Sequence, residues 1–141
     1  MKLALLDTEH LSHLLMSEPR TTLRRYATQY RKGGRRFGMN PITYYEFRRW
    51  VLEFEDLNAR RETLQALEDF VKQECKWFDI TKSVSQKASY LWWRLKVQNQ
   101  LIEETDLLIA ATAVTYGLKV VTENVSHFER IPGLEVENWH L

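Results

Sequence analysis

The stretch "TDLLIAATAVTYGLKVVTENVSHF", residues 105–128, constrains the fold more than any other. Residues 107–114 are apolar on nearly every side, the signature of a helix buried within a protein rather than lying on it. Gly117 stands where a left-handed helix end favours glycine. Residues 119–122 then supply a short β-branched strand. A buried helix that stops at a glycine and feeds a buried strand is a unit of an α/β sheet covered on both faces.

The rest of the chain repeats that alternation. Residues 2–6 read as a short strand whose four apolar residues, 3–6, run unbroken, as in a strand buried on both faces. A helix over about 9–16 follows, with Leu11, Leu14 and Leu15 on its apolar side, ending before Pro19. Residues 20–31 read as a polar, basic helix, residues 31–36 ("RKGGRR") as a glycine-hinged loop, and residues 37–39 as a short strand. Asn40 as cap and Pro41 at the first helical position open the next helix. Its broad apolar set includes Ile42, Tyr45, Trp50 and Phe54. A helix over about 57–74 carries Leu57, Leu64, Leu67, Phe70 and Val71. Residues 76–80 are a strand, Thr81 starts a helix to about Gln98, and Thr105 is expected to cap the buried helix. Residues 133–139 offer a last edge strand. The expected architecture is α/β: a three-layer α/β/α sandwich with a central, mainly parallel sheet, in a single domain over residues 1–141.

Composition excludes several alternatives. The formal net charge of +1 gives no global field for a polyanion, so a nucleic-acid surface has to be local. One cysteine, Cys75, rules out an intrachain disulfide and a cysteine-based zinc site. The opening apolar run stops at Asp7, too short for a signal peptide, and no stretch approaches a membrane span. A cytoplasmic protein is expected.

In open α/β sheets ligands bind beyond the carboxyl ends of the strands. Asp7 follows the first strand; Thr122, Glu123 and Asn124 follow the late one. Asp106 opens the buried helix, and Glu46 lies about two turns into the helix that starts at Asn40. Packed together, three carboxylates from distant segments would repel one another unless a cation joined them. Mg²⁺ or Mn²⁺ prefers such oxygen ligands, and the arrangement suits phosphodiester hydrolysis. Each residue also has a plainer role. Asp7 is equally suited to capping a helix, Asp106 to complementing a helix dipole, and Glu46 to a solvated face.

These residues carry a resemblance. "LLDTEHLSHLL" resembles the opening of PIN-domain proteins, "PITYYEFRR" their glutamate-bearing second motif, and "TDLLIAATAVTYGLKVVTENVSHFERIPGLEVENW" is similar to the C-terminal third of VapC-like toxins. The resemblance implies a metal-dependent endoribonuclease, the toxin of a toxin–antitoxin pair, acting on RNA with Mg²⁺ or Mn²⁺. It implies a homodimer and a small antitoxin covering the site. Asp7, Glu46 and Asp106 would be the acidic ligands, and capping of the first helix would fall mostly to Thr8. Thr8, Glu9, Thr122 and Asn124 would support the site. Two positions depart from the family pattern. Glu9 replaces a shorter asparagine or aspartate. His127 stands where a fourth acidic residue is common. His127 is then a further metal ligand, or more simply a surface or hydrogen-bonded histidine. It also motivates the alternative of a catalytically weakened PIN-fold module that binds RNA or protein, and a nucleotide-directed metallohydrolase is a more distant rival.

Arg31, Lys32, Arg35 and Arg36 form a local basic patch that could meet an RNA backbone, with Tyr26 and Tyr30 stacking on unpaired bases, or else a solvated loop. "YLWWRL", residues 90–95, suits core and dimer packing better than base stacking. Tyr44, Tyr45 and Trp50 are candidates for lining an antitoxin groove.

Overall fold

In the computed structural model, which describes residues 2–16 and 21–140, five short strands build one sheet. The elements run β1 (Ala4–Leu6), α1 (Thr8–Leu15), α2 (Thr21–Arg31), β2 (Phe37–Met39), α3 (Pro41–Leu52), α4 (Leu57–Glu74), β3 (Cys75–Trp77), α5 (Lys82–Val97), α6 (Glu104–Tyr116), β4 (Lys119–Val121), α7 (Val125–Phe128) and β5 (Val136–Glu137). The strand order is β3-β2-β1-β4-β5, and every pairing is parallel, so the expected mainly parallel sheet is wholly so. The first helix ends at Leu15, before Pro19 as expected, and Pro19 itself lies outside the described residues. No helix among the described residues is long and apolar enough to cross a membrane.

The two faces of the sheet follow from the period of two along each strand. Ala4 and Leu6 of β1 and Val121 of β4 join one core with α1 to α4, around Leu11, Phe47, Leu67 and Phe70. Leu5 and Val120 point the other way, into a second core with α5, α6 and α7. Side chains on both faces are buried, which is why β1 reads as an unbroken apolar run. Gly38 of β2 lies at the crowded centre. A Cβ there would sit 3.5 Å from the Ala4 carbonyl oxygen and 3.5 Å from the Phe78 ring.

Several local expectations change. α2 is polar by composition, yet Leu23, Ala27 and Tyr30 form a fully buried stripe at i, i+4 and i+7. Tyr30 is therefore not a base-stacking side chain: its hydroxyl accepts from the Ala4 N–H and donates to the Arg36 carbonyl. α3 buries Thr43, Phe47 and Val51 at four-residue spacing and leaves Tyr45 and Trp50 exposed. Leu57 at the start of α4 is also exposed. α6 begins two residues earlier than a Thr105 cap implies. Glu103 stands at its N-cap without a side-chain bond, and Thr105 lies inside the first turn, where it cannot cap. In "YLWWRL", Leu91 and Leu95 enter the core while Tyr90, Trp92 and Trp93 stay exposed.

Candidate functional site

The parallel sheet brings all the strand carboxyl ends to one edge, and each candidate carboxylate reaches that edge by its own route. Asp7 continues β1 by one more ladder bond, from its N–H to the Val121 carbonyl at 3.0 Å. α3 departs from the end of β2, so Glu46 in its second turn remains near that edge. α6 runs back across the sheet before β4, which sets its N-terminus and Asp106 at the same edge. Asn40 ties the two helices together by donating to Thr112 Oγ1 at 3.3 Å. Asp7, Glu46 and Asp106 line one cleft of about 240 Å³, with Thr8, Glu9, Glu103, Asn124 and His127 on its walls.

Asp7 is the most firmly held. Its Oδ1 accepts from the His10 backbone N–H at 2.8 Å and lies 3.0 Å from His10 Nδ1; its Oδ2 accepts from the Thr122 hydroxyl at 2.7 Å. Asp7 therefore caps α1 while serving the cleft, and capping does not fall to Thr8. The Thr8 hydroxyl instead donates to Glu46 Oε1 at 3.3 Å. One carboxylate can do both jobs because each oxygen has more than one lone pair. Thr122 in turn accepts from the Asn124 N–H at 2.9 Å.

His10 was not singled out by sequence, and it is fully buried. Its Nε2 accepts from the Trp139 backbone N–H at 3.2 Å, so that nitrogen carries no proton. The proton then belongs to Nδ1, which donates it to Asp7. Only a histidine at i+3 from the aspartate, found beside the family opening, could have signalled this. Glu103 was missed as well, since a glutamate ahead of a helix carries no distinctive pattern.

The electrostatics divide the carboxylates. Burial alone would raise the Asp7 carboxyl, but hydrogen bonds from the His10 side chain, the His10 backbone N–H and the Thr122 hydroxyl outweigh it and hold the group below its ordinary value. Burial pushes Glu46 up, opposed by the Thr8 hydrogen bond and reinforced by the charges of Asp106 and Glu103. Burial raises Asp106 too; its contact with His127 opposes that, and the charges of Glu103 and Asp7 add to it. His127 Nδ1 lies 3.4 Å from Asp106 Oδ2, so the histidine at the departing position turns into the cleft. Five acidic side chains and one histidine on one small cleft leave a local deficit of positive charge.

The basic patch lies elsewhere. Residues 31–36 lead into the amino end of β2, at the sheet edge opposite the cleft. Arg31 pairs with Glu74 at 2.9 Å, Arg35 donates to the Tyr30 carbonyl at 2.8 Å, and Arg36 donates to the Cys75 carbonyl at 3.1 Å. These arginines tie α2 and β3 to the loop rather than flank the carboxylates, while Lys32 lines a separate hollow with Tyr26 and Trp139.

Comparison with known proteins agrees with this geometry. Ribonuclease VapC19 of Mycobacterium tuberculosis is 34% identical over 86 residues, 60% of this chain and 68% of its own. Ribonuclease VapC of Rickettsia bellii is 35% identical over 104 residues, 70% of this chain and 72% of its own. Among solved structures, VapBC2 from Rickettsia felis, bound to a promoter DNA fragment, has a TM-score of 0.83 at 22% identity, covering 97% of this chain and 98% of that one. VapBC from Salmonella typhimurium bound to DNA has a TM-score of 0.82 at 24% identity and covers 99% of each chain. The family model for the PIN domain matches residues 4–134, and with the parallel sheet and the carboxylate-lined edge in hand, the chain belongs to the PIN domain family.

Proposed function

We propose that this chain is an endoribonuclease that cleaves RNA phosphodiesters with a divalent cation held by Asp7, Glu46 and Asp106, as the toxin of a toxin–antitoxin pair. The observation that carries the reading is the convergence of these three carboxylates on one cleft, with Glu46 and Asp106 raised partly by neighbouring negative charge. The named ribonuclease relatives support the reaction class.

The donor set fits a hard cation. It is almost entirely oxygen, as Mg²⁺ or Mn²⁺ prefers. Among the described residues the three carboxylates are not one of the groups whose donor atoms all lie within 4.8 Å of one another. That spread suits an ion that keeps water between itself and some of its ligands. When bound, such an ion supplies charge neutralisation at the phosphate and a more acidic water.

The chain's own residues do the rest. The His10 and Thr122 hydrogen bonds fix both Asp7 oxygens, so one ligand is oriented before anything binds. Thr8 holds Glu46 toward the cleft. His127, with a side chain 36% exposed, stands beside Asp106, its Nδ1 3.4 Å from Oδ2, on the solvent side of the cleft. For the antitoxin, the exposed groove of Tyr44, Tyr45, Arg48, Arg49 and Leu52 on α3 offers an apolar floor with cationic rims.

The test is cleavage of RNA by the purified protein freed of any partner. Activity with Mg²⁺ or Mn²⁺, abolished by EDTA and by Asp7→Asn, is the expected result. No cleavage with either ion sinks the reading, and absent Mn²⁺ binding by calorimetry would favour the non-catalytic PIN-fold module.

A further inference from the structure

Beside the cleft, on the outer side of α1, a second set of ligating side chains converges from three separate segments. Glu9 and His13 stand one turn apart on α1, and His13 Nε2 lies 3.6 Å from Glu9 Oε1. His140, from the C-terminal segment, brings its Nε2 to 3.7 Å from the same Glu9 oxygen. Glu123, just after β4, sets its Oε1 3.6 Å from His140 Nε2. The donor atoms of Glu9, His13 and His140 all lie within 4.8 Å of one another. In a tetrahedral zinc site with ligand bonds near 2.0–2.1 Å, neighbouring donors are ~3.4 Å apart, by simple geometry. The three measured separations are within a few tenths of an ångström of that edge.

We infer that Glu9, His13, His140 and Glu123 form a binding site for a zinc-class divalent ion, which shares the Glu9 wall of the cleft but none of Asp7, Glu46 and Asp106. The ligand chemistry differs between the two. Two imidazoles with two carboxylates suit Zn²⁺, Co²⁺ or Ni²⁺, whereas Mg²⁺ rarely takes imidazole. The imidazoles are shielded, His13 at 18% and His140 at 9% side-chain exposure, while Glu9 and Glu123 at 46% and 43% keep a path to solvent. The His13 and His140 rings stand edge to face, 5.0 Å apart and 87° between planes. An ion there would join α1, the turn after β4 and the C-terminal segment. It would thereby lock the backbone around Trp139, whose N–H holds His10 against Asp7.

The test uses the full chain, without a histidine tag and stripped with a chelator, titrated with Zn²⁺ by calorimetry and with Co²⁺ by visible absorption. One Zn²⁺ per chain is expected, with the strong visible bands of four-coordinate Co²⁺ and a raised melting temperature. His13→Ala and His140→Ala should each weaken Zn²⁺ binding at least ~10-fold, the scale of losing even an outer-sphere partner. Glu123→Gln, an exposed change that leaves folding intact, should weaken it as well, and Asp106→Asn should not. No Zn²⁺ binding by the stripped wild type overturns the proposal. So does binding that survives both histidine variants, or binding lost in Asp106→Asn, which would move the ion into the cleft. Because the readouts are metal affinity and spectrum, this outcome is independent of whether the protein cuts RNA.

Discussion

Replacing His10 by alanine removes two hydrogen bonds that act in series: Nδ1–H to Asp7 and the Nε2 acceptor for Trp139 N–H. A hydrogen bond to a charged group contributes ~1.5–3 kcal/mol, and a buried donor left without a partner costs ~1–3 kcal/mol, so His10→Ala should lose about 3–5 kcal/mol. A domain of this kind is stable by only ~5–15 kcal/mol, so the loss is large. His10→Asn is the informative companion. Its amide can take the place of Nδ1–H and keep the Asp7 bond, but it cannot reach Trp139, so its cost should be about 1–3 kcal/mol. Urea unfolding at pH 7, followed by tryptophan fluorescence, measures both. The pH dependence adds a sign. Asp7 is held below its ordinary 3.8, so its interactions contribute stability above that value and lose it as pH falls through the folded-state value. In His10→Ala that contribution shrinks, and acid unfolding should begin at higher pH. The reasoning is refuted if His10→Ala stays within ~1 kcal/mol of wild type, or if His10→Asn costs as much as His10→Ala.

Other outcomes follow from the same geometry. Asp106→Asn removes a carboxylate whose charge is opposed by burial and by the charges of Glu103 and Asp7. Metal-free protein should gain ~0.5–2 kcal/mol in thermal unfolding, while RNA cleavage should fall more than ~100-fold, beyond the loss typical of an outer-sphere partner. Glu9, raised from 4.5 to about 6, binds its proton more tightly when folded, so its contribution to stability is present at low pH and is lost as pH rises from 4.5 to about 6. The difference in melting temperature between wild type and Glu9→Gln should therefore change across that window and be flat above pH 7; a difference independent of pH contradicts it. Gly117→Ala forces a side chain into φ +69° and should cost ~1–2 kcal/mol in denaturant unfolding. Gly38→Ala meets only ordinary contacts at 3.5–3.6 Å with no positive φ, and should range from neutral to ~1 kcal/mol stabilising.

The sheet and its helical layers were legible because strands alternate with helices and the inner strands β1 and β2 have no polar face. Leu5 and Val120 face one core while Ala4, Leu6 and Val121 face the other, and an unbroken apolar run is the sequence mark of that. The three carboxylates were legible only in part: a strand end pointed to Asp7, whereas Glu46 and Asp106 sit on helices, and their meeting with Asp7 depends on how those helices pack beside β1. What escaped was set by packing between distant segments. Nothing near Tyr30 signals that its hydroxyl is used up by Ala4 and Arg36. Nothing near His10 signals Trp139. The basic loop misled for a related reason: local charge density does not tell which edge of a sheet a loop occupies. Asp7 was read as a choice between cap and ligand because sequence reasoning gave it one role, while its two oxygens allow both.

β1 lies at the centre of the sheet and precedes both of its partners, β2 and β4, along the chain, and that orders the events of synthesis. Until β4 emerges from the ribosome, β1 lacks a partner on one side, and Asp7 lacks Thr122, 115 residues downstream. His10 waits longer still, for Trp139, 129 residues away. A nascent or prematurely terminated chain therefore carries the carboxylates without the contacts that aim them. Such long sequence separations also slow folding. The contacts that aim Asp7 therefore form only after β4 and the segment around Trp139 have followed β1 out of the ribosome.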